Sequence, residues 1–188
     1  MVALALLVAC TGPAETPAGI SPDRAEDADG RTGDGDLHLP EEFQISIYRG
    51  GEILGGDEIA FSSLFSGGKP VVLNFWAAFC PPCRAEMPDI QKVHDAYGDR
   101  VVVLGLDIGP FVGLGSSDDG RALLQELGVS YPTGTTLESQ VVSAYQVRGM
   151  PTTVFLTPDG KVHRTWTGFL TESMLVTLTE ELLGASAG

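Results

Sequence analysis

At 188 residues, with 43% hydrophobic residues, the chain has length for one domain with a buried core plus an appendage. Its formal net charge of −14 argues against nucleic acid as a partner, because phosphate binding needs clustered Lys and Arg. The same balance argues against docking through a basic patch on anionic lipid.

Residues 1–9, from Met1 to Ala9, form an apolar run that stops at Cys10. The run is too short to span a bilayer, which takes about 20 residues. It fits the apolar core of an export signal. Leu7-Val8-Ala9-Cys10 is similar to a bacterial lipobox, in which the cysteine is lipidated and becomes the new N-terminus. No Lys or Arg precedes the run, as a start site assigned too late would leave it. The other reading is a frayed apolar terminus with a free thiol. Residues 10–38 are rich in Gly, Pro, Ala and Asp, with no aromatic residue, and read as a flexible acidic tether. A folded domain is expected over residues 39–185.

Within that domain, Phe43, Ile45 and Ile47 alternate with polar residues, as in a half-buried strand. Gly50-Gly51 and Gly55-Gly56 punctuate the turns that follow, before Ile59, Phe61 and Leu64. Val71 to Phe75 reads as a central strand covered on both faces, and Val101 to Leu106 as a second buried strand. Between them the spacing predicts a helix over about 83–97, with Met87, Ile90, Val93 and Tyr97 on one stripe and Pro88 kinking it. Strand–helix–strand implies a right-handed parallel crossover. Ile108 to Gly115 is a glycine-rich connection without a phosphate-loop pattern, placed to line the rim of a site. Helices are expected over 119–127, stopped by Gly128, and over 137–145. Strands at 152–156 and 161–166 enclose the Pro158-Asp159-Gly160 turn. Thr171 caps a last helix, stapled by Leu170 and Leu175, that packs Leu175, Leu178 and Leu182 on the sheet.

The chemistry sits in Cys80-Pro81-Pro82-Cys83, where a strand gives way to a helix. Two thiols at this spacing can close a small ring and cycle between dithiol and disulfide. The positive end of a helix favours a thiolate, the species that attacks disulfides. Cys80, the first thiol, is the expected nucleophile and Cys83 the resolver. Pro81 and Pro82 offer no amide donors, which leaves Cys80 less stabilised as a thiolate. Structural zinc would need four ligands. Only Cys10 remains, and His38, His94 and His163 show no metal-ligand pairing. A structural disulfide with so short a loop would constrain little of the unfolded chain. His94 and His163 fit exposed positions and receive no chemistry.

The segment Asn74 to Pro88, together with Gly149-Met150-Pro151-Thr152-Thr153, resembles the thioredoxin superfamily over about residues 40–184, in particular its TlpA/ResA-type thiol–disulfide oxidoreductases. The resemblance implies an α/β thioredoxin-like fold, a central mixed sheet flanked by helices, with an added N-terminal β-hairpin. Thioredoxin itself carries Asp where Asn74 stands; Asn74 with Glu86 matches the ResA-like pattern. There the Glu tunes the cysteine pKa values and assists proton transfer, which assigns those roles to Glu86. The alternative for Glu86 is a solvated acid that complements the helix dipole. Pro151 resembles the family's cis-proline opposite the cysteines, exposing the Met150 backbone to an extended substrate. Trp76 and Phe79 either wall the site or fill the core; Trp76, Pro81, Pro82, Met150 and Pro151 form the expected substrate surface.

The function implied is that of an extracytoplasmic, lipid-anchored reductase of protein disulfides, monomeric and without metal or cofactor. Its substrates would include oxidised apocytochrome c, and a membrane thiol donor would re-reduce it. Two other classes stay open. A peroxiredoxin-like thiol peroxidase would want Thr or Ser three residues before its cysteine, where this chain has Ala77. A copper chaperone would use Cys80 and Cys83 as soft ligands, and usually has a wider cysteine spacing and a ligating His.

Overall fold

A computed structural model of the protein describes residues 42–186. The export signal read at 1–9, the lipidation site at Cys10, the tether and the first residues of the domain, 39–41, lie outside the described residues. In chain order come Gln44–Arg49 (β1), the helical turn Gly51–Leu54 (α1), Glu58–Ala60 (β2) and a 3₁₀ turn at Phe61–Phe65. Then follow Val71–Trp76 (β3), Pro81–Tyr97 (α2), Val102–Asp107 (β4), Gly109–Val112 (α3) and Ser117–Leu127 (α4). Thr133–Thr135 (β5), Gln140–Ala144 (α5), Thr152–Leu156 (β6), Val162–Thr167 (β7) and Glu172–Ala185 (α6) complete the domain.

Seven strands form one sheet in the order β2-β1-β5-β4-β3-β6-β7. β3 runs parallel to β4, and β4 to β5. The β1–β2, β1–β5, β3–β6 and β6–β7 pairs are antiparallel, so the sheet is mixed, as expected. Ile45 lies opposite Ile59 in the N-terminal hairpin, and β1 continues the main sheet through β5.

Alternate side chains of a strand face opposite ways, and β3 divides its residues accordingly. Val72 and Trp76 join Met87, Ile90 and Val93 of α2, with Leu124 of α4 and Leu175 and Leu182 of α6. Val71, Leu73 and Phe75 join a second core with Phe43, Ile45, Phe61 and Tyr145. Asn74 is therefore on the α2 face, and its burial there requires partners.

Three boundaries differ from expectation. α2 begins at Pro81 rather than near residue 83, since proline at the first helical position gives up an amide that has no partner there anyway. α5 covers only Gln140–Ala144, and Leu137, expected at its start, is 91% exposed. α4 starts at Ser117, because Ser116 and Asp119 form a reciprocal capping box. Among the described residues, no helix is long and apolar enough to cross a membrane.

Candidate active site

β3 ends at Trp76, and residues 77–80 carry the chain to the start of α2. Cys80 is the N-cap of that helix. With Pro81 and Pro82 at the first two positions, Cys83 supplies the first helical amide, which donates to Cys80 Sγ at 3.3 Å. The cysteines form a disulfide with Cα atoms 5.3 Å apart. Cys80 is 4% exposed and Cys83 1%, while Pro81 and Pro82 are exposed beside them. After reduction the same amide and the positive helix end favour thiolate at Cys80.

One turn further on, Glu86 shares the buried side of α2 with Cys83 and Met87. It is fully buried, so the solvated-acid alternative is overturned. Asn74 Nδ2 donates to Glu86 Oε1 at 2.9 Å, and the Leu170 amide donates to Oε2 at 2.6 Å. Burial raises the Glu86 pKa to about 7, against the opposing pull of the Leu170 and Asn74 hydrogen bonds. Asn74 also donates to Thr153 Oγ1 at 3.0 Å, its register partner across β3 and β6. The carboxyl thus ties the cysteine helix to the central strand, to the strand after Pro151 and to the loop before α6. Sequence reasoning did not assign Thr153 or the Leu170 amide to this network. Thr153 had a signal, since it shares the strand register of Asn74; a backbone amide 84 positions from Glu86 had none.

The Met150–Pro151 peptide is cis. Thr152 pairs with Phe75, so Pro151 lies just past the pairing, at the sheet end where the chain leaves β3 for Cys80. Met150 packs against both cores, including the one that contains Cys80 and Cys83. A groove of about 480 Å³ lined by Phe111, Val142, Val147 and Arg148 opens beside this segment.

Trp76 was expected on the substrate surface, but it is 0% exposed and supports the site from inside the core. Its place in the pleat explains this: Trp76 points to the same face as Val72, into the core cluster, with its indole against Gly105 of β4 and Gly120 of α4. Phe79, by contrast, is 61% exposed next to Cys80. His163 is exposed as expected. His94 is half-buried, its ring 6.5 Å from that of Tyr131, and burial lowers its pKa.

Residues 43–165 match the model of the AhpC/TSA family. The chain is 33% identical over 125 residues to the thiol-disulfide oxidoreductase ResA of Bacillus subtilis, covering 66% of each protein. It is 31% identical over 127 residues to the ResA of Halalkalibacterium halodurans, covering 66% of this chain and 67% of that one. The chain thus spans about two thirds of the length of these relatives. Among solved structures, the pneumococcal exposed lipoprotein thioredoxin Etrx1 of Streptococcus pneumoniae superposes with a TM-score of 0.61 at 26% identity. That match covers 74% of this chain and 98% of the other. The fold is thioredoxin-like.

Proposed function

This chain belongs to the AhpC/TSA family, and from that premise we propose that it is a thiol–disulfide oxidoreductase of ResA type that reduces protein disulfides. The observation that carries the reading is the Cys80–Cys83 disulfide at the capped N-terminus of α2. In the reductive direction, Cys80 thiolate attacks a substrate disulfide, forming a mixed disulfide and expelling one substrate thiolate. Cys83 thiolate then attacks Cys80 Sγ, closing the internal disulfide and expelling the second. Two electrons pass to the substrate, whose thiolates take up protons. Glu86, with a pKa of about 7 behind Cys83, holds and returns the proton that Cys83 gives up. Met150 presents its backbone to an extended substrate, with Pro151, Pro81 and Pro82 as the surrounding surface. Trp76, being buried, holds that surface up from beneath.

The test is the equilibrium potential of the Cys80–Cys83 couple, measured against dithiothreitol and glutathione buffers. A value toward the reducing thioredoxin end, about −270 mV, supports a reductase, and one near −120 mV an oxidant. A centre that fails to exchange with either buffer would sink the reading. The peroxidase alternative lacks Thr or Ser at position 77, where Ala77 is buried.

A lipid anchor and a membrane-side substrate belong to the same proposal. The similar pneumococcal structure is described as an exposed lipoprotein, which agrees with a lipobox at Leu7-Val8-Ala9-Cys10. The protein then faces away from the cytoplasm, held by lipid on Cys10 as a monomer on a tether. Its substrates include the oxidised haem-attachment cysteines of apocytochrome c, and a membrane thiol donor returns it to the dithiol. One acyl chain anchors only marginally, so stable attachment takes more than one. Cys10→Ala is expected to move the protein from the membrane fraction to the soluble fraction, or to block processing, with reductase activity in vitro unchanged. Mass spectrometry of protein from its native host that finds an unmodified Met1 terminus would remove the anchor and leave the Cys80–Cys83 chemistry standing.

A further inference from the structure

The α2 face of the sheet holds a second buried acid that the reaction above does not use. Asp107 ends β4 in register with Trp76, which ends β3, and it is fully buried. Its Oδ1 accepts from the Gly109 amide at 2.9 Å, and its Oδ2 accepts from the Tyr48 hydroxyl at 3.2 Å. Two glycines make room for the carboxylate: a Cβ on Gly109 would come within 3.0 Å of Oδ1, and one on Gly120 would collide with Oδ2.

From Gly109 the contacts lead back to the cysteines. The Gly109 carbonyl accepts from the Leu114 amide at 3.1 Å, and the Leu114 carbonyl accepts from the Phe79 amide at 2.9 Å. Phe79 is the residue before Cys80. Gly115, at φ 119°, lies so close to this loop that a Cβ there would be 2.9 Å from Ala78 Cβ. The Ile108 amide adds a bond to the Trp76 carbonyl at 2.9 Å. Residues 108–115 therefore form a brace, bonded to Asp107 at one end and to the loop that carries Cys80 at the other.

We infer that Asp107 is a positioning residue of the redox centre: it fixes the 108–115 brace, which holds Cys80 at the helix end where the Cys83 amide can reach its sulfur. The inference rests on the thiol–disulfide reading above and adds to it a residue outside the cysteine helix. Burial raises the Asp107 pKa to about 6, so a pH series around that value follows its carboxyl. The groups that face it are Tyr48 from β1 and Arg121 and Asp119 from α4; Arg121 pulls its pKa down and Asp119 pushes it up.

Position and charge predict opposite signs. Without the brace, Cys80 drifts from the amide and its thiol pKa rises. If Asp107 acted only by its charge, removing that charge would lower the thiol pKa. Reduced wild type, Asp107→Ala and Asp107→Asn should therefore be alkylated with iodoacetamide over a pH series. Asp107→Ala is expected to react several-fold more slowly at neutral pH, with its midpoint shifted up. Asp107→Asn keeps an oxygen for the Gly109 amide and should restore the wild-type curve. Equal curves for wild type and Asp107→Ala, faster reaction in both variants, or an Asn variant as slow as the Ala variant would each overturn the inference.

A second measurement needs no folded Ala variant. In wild type, the NMR amide signals of Gly109 and Phe79 should follow the Asp107 carboxyl as it titrates, and the Phe79 response should vanish in Asp107→Asn. A Phe79 amide that ignores that titration also overturns it. Exchange of the wild-type disulfide with dithiothreitol, run alongside, separates failure of this inference from failure of the functional reading.

Discussion

Cys80→Ser is expected to reduce disulfide reductase activity to background, while Cys83→Ser retains the first attack and accumulates a covalent mixed disulfide with substrate. The asymmetry comes from the helix end. Cys80 is the N-cap, its sulfur takes the Cys83 amide, and exposed Phe79 and Pro81 stand on either side of it. Cys83 sits one turn in, buried with Met87 in the core cluster, and the sulfur it meets there is Cys80 Sγ, which it attacks to release the substrate. Because the two thiols act in sequence, their losses are not additive, and the double variant should be no worse than Cys80→Ser. Non-reducing electrophoresis with a disulfide-bearing peptide reads the trapped species. Alkylation of reduced wild type at neutral pH that labels Cys83 before Cys80 would reverse the two roles.

Glu86→Gln is expected to remove a pH dependence of stability that wild type shows between its unfolded pKa of 4.5 and its folded value of about 7. The folded pKa is the higher one, so in this window the native protein keeps a proton that the unfolded chain has lost. Stability must then fall as pH rises from 4.5 to about 7, and stay level above it. At roughly 1.4 kcal/mol per pKa unit, the decline attributable to Glu86 is about 3 kcal/mol. Asp107 contributes in an overlapping window in both proteins, so the difference between the two isolates Glu86. Glutamine can keep the geometry: its oxygen accepts from the Leu170 amide. Asn74 can turn its amide over, because the Thr153 hydroxyl donates as readily as it accepts. Glu86→Ala, which leaves the Leu170 amide and one of the two Asn74 N–H groups without an acceptor, should cost about 1–3 kcal/mol for each at any pH. Removing the carboxylate should also lower the cysteine pKa values and slow exchange through loss of the proton store. Urea unfolding at several pH values reads the stability difference. Parallel stability curves for wild type and Glu86→Gln would reduce the carboxyl to a structural group.

Much of the sheet was legible. Val71 to Phe75 reads as a central strand because no polar residue but Asn74 interrupts it, and the structure buries it on both faces. The hairpin at β1 and β2 follows from alternation and paired glycines. β5 was not legible: Thr133-Gly134-Thr135 has no apolar residue, and it is a strand only because β1 and β4 pair with it on either side. Gly134 allows this, since a Cβ there would be 2.6 Å from the Ser46 carbonyl of β1. α5 was overread, because Leu137 looked like the first apolar residue of a helix and instead stands in solvent.

The redox centre was written in the chain itself. The spacing of Cys80 and Cys83 at a strand-to-helix junction needs only local geometry, and a helix end stabilises a thiolate wherever the helix is placed. The surroundings of that centre depended on long-range contact. Whether Glu86 met water or an Asn–Thr–amide network turned on which side of α2 faced the sheet, and the side it takes puts Leu170 within 2.6 Å. Trp76 could wall the site or fill the core until the pleat of β3 turned it into the core cluster, against Gly120 of α4. Asp107 is one acid among 25 in the sequence. Only the parallel pairing of β3 with β4 sets it beside Trp76 and buries it, and burial is what makes a carboxyl hold its neighbours and keep its proton.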